Sequence, residues 1–216
     1  MPDFVWHLYL YTLVKQVITK KDNVKEIIVN FTITMNNLEY YNSFEERLQV
    51  ELLKLCNTAG LLDTVLAESE DITERWNDYA TPYMADAIEQ VNDYPNASIA
   101  WPAFMGMAVA KWWDTDWEAN RFNPYEDFYG AEKWDDMDDH IMVDILGYPL
   151  GSPEEREIRY ITITCAEKAI SMIMKEDFEP GSEKAFYMLA RTMKVMYKIG
   201  AALQLKRMGY KFRKYN

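Results

Sequence analysis

The sequence predicts an all-α fold, a single compact bundle of six to eight antiparallel helices that spans residues 1–216. Three observations predict it. Helix-start signals recur along the chain, and the apolar residues between them repeat at the three- and four-residue spacing of one helix face. Beyond residue 40 there is no strand-like alternation and no Asn-Gly or Asp-Gly hairpin turn. With 216 residues, 49% of them hydrophobic, the chain has enough nonpolar surface for a packed core.

Six positions carry a helix-start signal, in which a side-chain oxygen accepts a hydrogen bond from a free backbone N–H group. In most of them a glutamate follows at the third helical position, as in a capping box, or a proline occupies the first. The six are Asn23 with Glu26, Ser43 with Glu46, Asp71 with Glu74, Asn123-Pro124 with Glu126, Ser152-Pro153 with Glu155, and Ser182 after Pro180-Gly181.

The first element is the least certain in type because residues 26–35 are rich in β-branched side chains. The cap at Asn23 and the spacing of the large apolar residues nevertheless favour a helix. A strand over residues 24–36 stays open as the alternative. The apolar residues at helical spacing are Val24, Ile27, Ile28, Phe31, Met35 and Leu38.

The later elements have clearer apolar faces. After Ser43 the face is Leu48, Leu52, Leu55 and Ala59, and after Ser152 it includes Ile158, Ile161 and Cys165. Pro102 is expected in the first turn of a helix whose small residues allow close packing and which leads to Trp112-Trp113-Asp114. The last helix has a stripe of nearly five turns that comprises Ala185, Leu189, Thr192, Met196, Ile199 and Leu203.

The cysteines and the N-terminus indicate where the protein resides. Cys56 and Cys165 fall on apolar faces outside any Cys-x-x-Cys pair, so each is expected to be a small buried side chain. Residues 1–14 lack the basic start and the cleavage site of a signal peptide, and their apolar run is too short to span a membrane. We therefore expect a soluble cytoplasmic protein that does not contact membranes.

The net charge of −12 is unevenly distributed. Residues 114–144 carry eleven acidic and two basic side chains, whereas residues 184–216 carry nine basic side chains and no acidic one. The terminal helix and tail, residues 182–216, thus form a basic element on an otherwise acidic chain. Basic residues interleaved with aromatics can contact nucleic acid, but the overall negative charge opposes polyanions. Pairing within the molecule or between copies is the favoured interpretation.

Residues 101–144 are the most unusual segment because they hold five of the seven tryptophans together with most of the acidic excess. The alternation from Asp114 to Asn120 resembles the start of a calcium loop, but Ala119 and Tyr125 replace the glycine and glutamate that the loop requires. A second interpretation is a carboxylate-dominated metal site of a hydrolase, since the later acids are four residues apart on one helix. Its candidate ligands are Asp114, Asp116, Asp136, His140 and Asp144.

The favoured hypothesis is a non-enzymatic protein–protein interaction or regulatory module, because tryptophan beside carboxylate is typical of recognition surfaces. The sequence contains no phosphate-binding glycine loop, nucleophile elbow or His-Glu-x-x-His motif, so no cofactor or catalytic residue is expected. The partner is an unidentified protein or a second copy of the chain. The predicted interaction residues are Trp113, Asp114, Asp116, Trp117, Asp136, Asp139, Lys206, Arg207, Lys211, Arg213 and Lys214.

Overall fold

The computed structural model describes residues 38–66, 68–91, 93–179 and 181–211, and within them it confirms the all-α prediction. The predicted element at residues 24–36 lies outside the described residues. A short 3₁₀ turn at Tyr125–Phe128 precedes the fourth helix, and a π turn at Ile141–Ile145 continues it. The described residues contain six helices, which are α1 (Leu38–Thr58), α2 (Glu70–Gln90), α3 (Pro95–Asn120), α4 (Met137–His140), α5 (Pro153–Ile173) and α6 (Glu183–Arg207).

Helix α3 forms the centre of the fold, since every residue from Ser98 to Ala110 is buried. It packs against α6 at two glycines that leave no room for a side chain. A Cβ on Gly106 would overlap the carbonyl oxygen of Tyr197, and one on Gly200 would overlap the carbonyl of Ala103. The small residues of α3 therefore allow backbone-to-backbone contact, as the sequence predicts.

The helices differ in relative direction. Contacts between α1 and α5 pair residues in opposite order, from Glu51 with Lys168 to Cys56 with Cys165. Contacts of α3 with α6 and the turn after it run in the same order, with Ala103 against Gly200 and Trp113 against Tyr210. The central pair is thus parallel, so the prediction of antiparallel helices does not hold for α3 and α6. The long connections that separate these two helices along the chain allow this direction.

The predicted apolar faces are largely confirmed. All six residues of the α6 stripe are buried, and so are Ile158, Ile161 and Cys165 on α5. Leu48 and Leu52 are buried on α1, but Ala59 is exposed just beyond the end of that helix. The sulfur atoms of Cys56 and Cys165 lie 3.7 Å apart in the core, and this hydrogen bond together with burial raises the pKa of the Cys165 thiol. In the described part of the chain, no helix combines the length and hydropathy needed to cross a membrane.

The predicted helix starts are correct only in part. Ser152 and Ser182 are N-caps whose hydroxyls accept hydrogen bonds from Glu155 and Ala185, as predicted. Ser43 is wrong as a start, because α1 already begins at Leu38 and its buried Tyr41 and Phe44 extend the packed face upstream.

Three other predicted starts also shift. The N-cap of α2 is Ser69, two residues before the predicted cap Asp71, and the helix begins at Glu70. Asn123-Pro124 precedes only the 3₁₀ turn at Tyr125–Phe128. Pro102 lies inside α3, because Pro95 takes the first-turn position that the sequence assigns to Pro102.

Two serine N-caps allow a matched test of capping. We expect Ser152→Ala to lower the free energy of unfolding by about 1 kcal/mol, since the N–H of Glu155 loses its acceptor at 3.1 Å. Ser69, the N-cap of α2, makes no such bond, so Ser69→Ala is expected to change stability by less than about 0.5 kcal/mol. Urea unfolding of both variants measures the difference, and equal losses would contradict it.

Candidate functional site

The predicted interaction residues fall into three local environments. Four of them, Trp113, Asp114, Asp116 and Trp117, lie at the end of α3. Asp136 is the N-cap of α4, and Asp139 lies within that helix. Lys206 and Arg207 end α6. Lys211 is exposed beyond that helix, and Arg213 and Lys214 lie outside the described residues.

The end of α3 is tied to two other elements by its aromatic and acidic side chains. The indole N–H of Trp113 donates to Asp71 on α2 at 3.2 Å. The ring of Tyr210 lies edge-on to Trp113, with 5.6 Å between ring centroids, and its hydroxyl donates to Asp114 at 2.7 Å. This bond to a carboxylate raises the pKa of Tyr210. Trp113 and Asp114, at the end of α3, therefore contact both the start of α2 and the residues that follow α6.

Asp116 redirects the last turn of α3. Its backbone is extended, with φ −161° and ψ 88°, so the helix is interrupted there and resumes at Trp117. The carboxylate accepts a hydrogen bond from the backbone N–H of Ala119 at 3.1 Å, in the manner of an N-cap. Its role in the structure is thus to cap the resumed turn, which carries Trp117 and leads to Phe122.

A groove of about 410 Å³ runs between the first turns of α2 and the end of α3. Asp71, Glu74 and Asp78 line its α2 side at helical spacing, and Trp117 and Phe122 line its α3 side. The side chain of Phe122 is 77% exposed, which is unusual for so large an apolar residue. We call this region the acidic aromatic surface; it comprises Asp71, Glu74, Asp78, Trp113, Asp114, Trp117 and Phe122.

Two arginines lie in the groove but are already engaged. Arg75 pairs with Asp78 and also donates to the hydroxyl of Tyr79 and the carbonyl of Asn123, so only 12% of its side chain is exposed. Arg121 pairs with Glu118 at 3.2 Å and lies over the ring of Phe122. Within the described residues, neither Asp71 nor Glu74 has an ion-pair partner. These two carboxylates are the uncompensated negative charges of the groove.

The sequence alone does not predict that the carboxylates of α2 belong to this surface. Asp71 lies 42 residues before Trp113, and only the fold brings the two together. The spacing of the α2 carboxylates, three and four residues, is a signal for a shared helix face, yet it does not indicate which element that face meets.

The acidic residues around α4 belong to a different cluster, which is organised by Arg159 of α5. This guanidinium pairs with Asp138, with Asp139 at 2.8 Å and with Glu155. Burial raises the pKa of Asp138 in spite of the arginine, whereas the hydrogen bond from Arg159 lowers the pKa of Glu155. Asp139 is thus part of an ion-pair network that fastens α4 to α5.

The proposed metal ligands do not form one group. His140 contacts Asp144 at 2.8 Å, but Asp136 accepts from the backbone N–H of Glu132 and Asp114 from Tyr210. No set of three or more His, Cys, Asp or Glu side chains within the described residues is placed to hold a metal ion. The structure therefore brings together only His140 and Asp144 of the five candidate ligands.

The basic residues of α6 pair with carboxylates of the same chain. Arg191 and Lys194 pair with Glu45, and these bonds lower the pKa of that carboxyl although burial opposes them. Lys198 pairs with Glu68 at 3.0 Å. At the end of the helix Lys206 pairs with Asp63 and Arg207 with Glu157, each at 2.6 Å. Much of the positive charge that the sequence places in this element is thus compensated internally.

Comparisons with protein-family models, with curated proteins and with solved structures find no match for this chain.

Proposed function

We propose that this protein is a cytoplasmic, non-enzymatic interaction or regulatory module whose acidic aromatic surface binds a basic, aromatic-containing segment of a partner protein. The observation that carries the proposal is the groove in which exposed Phe122 lies beside Asp71 and Glu74, two carboxylates that have no ion-pair partner among the described residues. Because the Phe122 side chain is 77% exposed, a ligand that covers the ring removes apolar surface from water, which lowers the free energy of the complex. Uncompensated carboxylates attract cationic side chains and steer their approach.

The geometry favours an extended segment over a globular face. The groove lies between one side of α2 and the end of α3, with carboxylates on the α2 side and aromatic rings on the α3 side, so an extended segment between the two helices can contact both. Arginine or lysine side chains can pair with Asp71 and Glu74 and stack on Trp117, since a cation over an aromatic face contributes about 0.5–2 kcal/mol. The ligand is therefore a peptide that carries both basic and aromatic residues.

A charge-removal experiment tests the proposal. The probe is a fluorescein-labelled peptide of alternating arginine and phenylalanine, titrated with the full-length protein and followed by anisotropy. We expect the triple variant Asp71→Asn, Glu74→Gln, Asp78→Asn to bind the probe about tenfold more weakly. Two exposed pairs of roughly 0.5 kcal/mol each are lost, and Arg75, without Asp78 as its partner, adds an uncompensated positive charge to the groove. Raising the salt concentration should weaken binding to the unmodified protein more than binding to the variant.

Two matched controls separate the groove from general acidity. The variant Glu46→Gln, Asp135→Asn, Glu167→Gln removes the same charge from exposed positions elsewhere and should bind the probe as the unmodified protein does. Phe122→Ala should weaken binding, whereas Tyr160→Ala, at a position 72% exposed on α5, should not. Equal affinities across all these variants would overturn the proposal.

A further inference from the structure

The chain leaves the described structure beside the acidic aromatic surface. Helix α6 ends in a turn at Gly209, whose φ of +91° suits glycine, with Tyr210 N–H bonded to the Leu205 carbonyl at 3.1 Å. This turn brings Tyr210 onto Trp113 and Asp114. Trp113 in turn donates to Asp71, which lines the groove. The last residues of the sequence therefore start one side chain away from the groove.

The segment that follows has a composition complementary to the unpaired carboxylates and the exposed ring of the groove. Residues 211–216 read Lys-Phe-Arg-Lys-Tyr-Asn, with three cations, two aromatic rings and no acidic residue. Six residues in extended form reach about 20 Å. That is more than the two helical turns, about 11 Å, that separate Asp71 from Asp78 along α2.

We propose that residues 211–216 occupy the groove of the acidic aromatic surface in the same molecule, so that this tail is the first ligand of the site and competes with any partner. The composition of the tail is complementary to this surface, since its cations can pair with Asp71 and Glu74 and its rings can cover Trp117 and Phe122. This inference rests on the proposed function, because it names the chemistry of the ligand that the same surface selects.

The same molecule is favoured over a second copy because of the anchor at Tyr210. A short linker gives the tail an effective concentration in the millimolar range at the groove. The tail of a second copy would have to compete with this effective concentration of the tail in the same molecule. A tail that fills the groove nine-tenths of the time makes the apparent affinity of a partner peptide about tenfold weaker.

The experiment compares two full-length variants that lose equal positive charge. Lys211→Ser, Arg213→Ser, Lys214→Ser removes the cations of the tail, and Lys133→Ser, Arg156→Ser, Lys175→Ser removes three cations elsewhere. We expect the tail variant to bind the arginine–phenylalanine probe about tenfold more tightly than the unmodified protein. The control variant should bind it as before.

A second readout needs no peptide. The indole N–H resonance of Trp117, assigned with Trp117→Phe, should shift in the tail variant and stay in place in the control. If the probe binds every variant equally and this resonance does not move, the tail lies elsewhere and the inference fails while the proposed function stands. If the probe binds none of them and the resonance still moves, the tail occupies the groove and the proposed function fails. A dimer that dissociates only in the tail variant would overturn occupancy within one molecule.

Discussion

Gly200→Ala is expected to lower the free energy of unfolding by about 2–3 kcal/mol, and with it the melting temperature by roughly 4–12 °C. Helix propensity alone predicts the opposite sign, because alanine stabilises a helix interior by about 1 kcal/mol relative to glycine. The added methyl group would overlap the backbone carbonyl of Ala103, and a carbonyl held in a buried helix cannot move aside as a side chain can. Urea and thermal unfolding measure both quantities.

The same reasoning applies to the partner glycine. Gly106→Ala meets the Tyr197 carbonyl and, at 2.9 Å, the backbone nitrogen of Ala201, so a loss of similar size is expected. Glu167→Ala, at an exposed position on α5, serves as the control and should change stability by less than about 0.5 kcal/mol. A gain of stability in either glycine variant would show that α3 and α6 do not approach each other this closely.

Arg159→Met is the second substitution with a large expected effect. It leaves Asp138 buried without its cation, and breaking such a pair costs about 3–5 kcal/mol when both partners are buried. Because 35% of the Arg159 side chain is exposed, we expect a smaller loss of about 2–3 kcal/mol at neutral pH. Methionine retains the apolar stem, so the loss measures the charge and its hydrogen bonds.

The loss should depend on pH in a defined direction. Burial raises the pKa of Asp138 even beside Arg159, and without the arginine that pKa rises further. The folded variant then takes up the proton at a higher pH than the unfolded chain does, so protonation stabilises it as the pH falls. The deficit relative to the unmodified protein should therefore shrink from pH 7 toward pH 4, as measured by urea unfolding at each pH.

A neighbouring arginine provides the comparison. Arg156 lies on the same helix but is exposed, so Arg156→Met should change stability by less than about 0.5 kcal/mol at every pH. A deficit for Arg159→Met that is constant with pH would contradict the assignment of Asp138 as the carboxyl left behind.

The fold could be predicted from the sequence where local signals and packing agree. The stripe on α6 and the caps at Ser152 and Ser182 are such cases, because each depends on residues within a few positions of one another. Ser43 was misleading, since it has the side chain of a cap but lies within a helix that tertiary packing of Tyr41 and Phe44 extends. Propensity and capping rules do not include that packing.

Only the α3 residues of the candidate site could be identified from the sequence. Trp113, Asp114 and Trp117 stand out in composition, and all three lie at the end of α3. The partner carboxylates of α2 could not be assigned, because their proximity depends on how α2 crosses α3. Asp139 was grouped with the tryptophans for the same reason: nothing local shows that Arg159, twenty residues later, binds it.

The glycine contact between α3 and α6 has a consequence for recognition. Trp113 is carried by α3 and Tyr210 by the turn that ends α6, and these two helices are held by backbone contact that prevents sliding. A rigid support of this kind is preorganised, so little backbone order has to be gained when a ligand arrives. Any selectivity of the surface is then set by the positions of side chains that the folded core has already fixed.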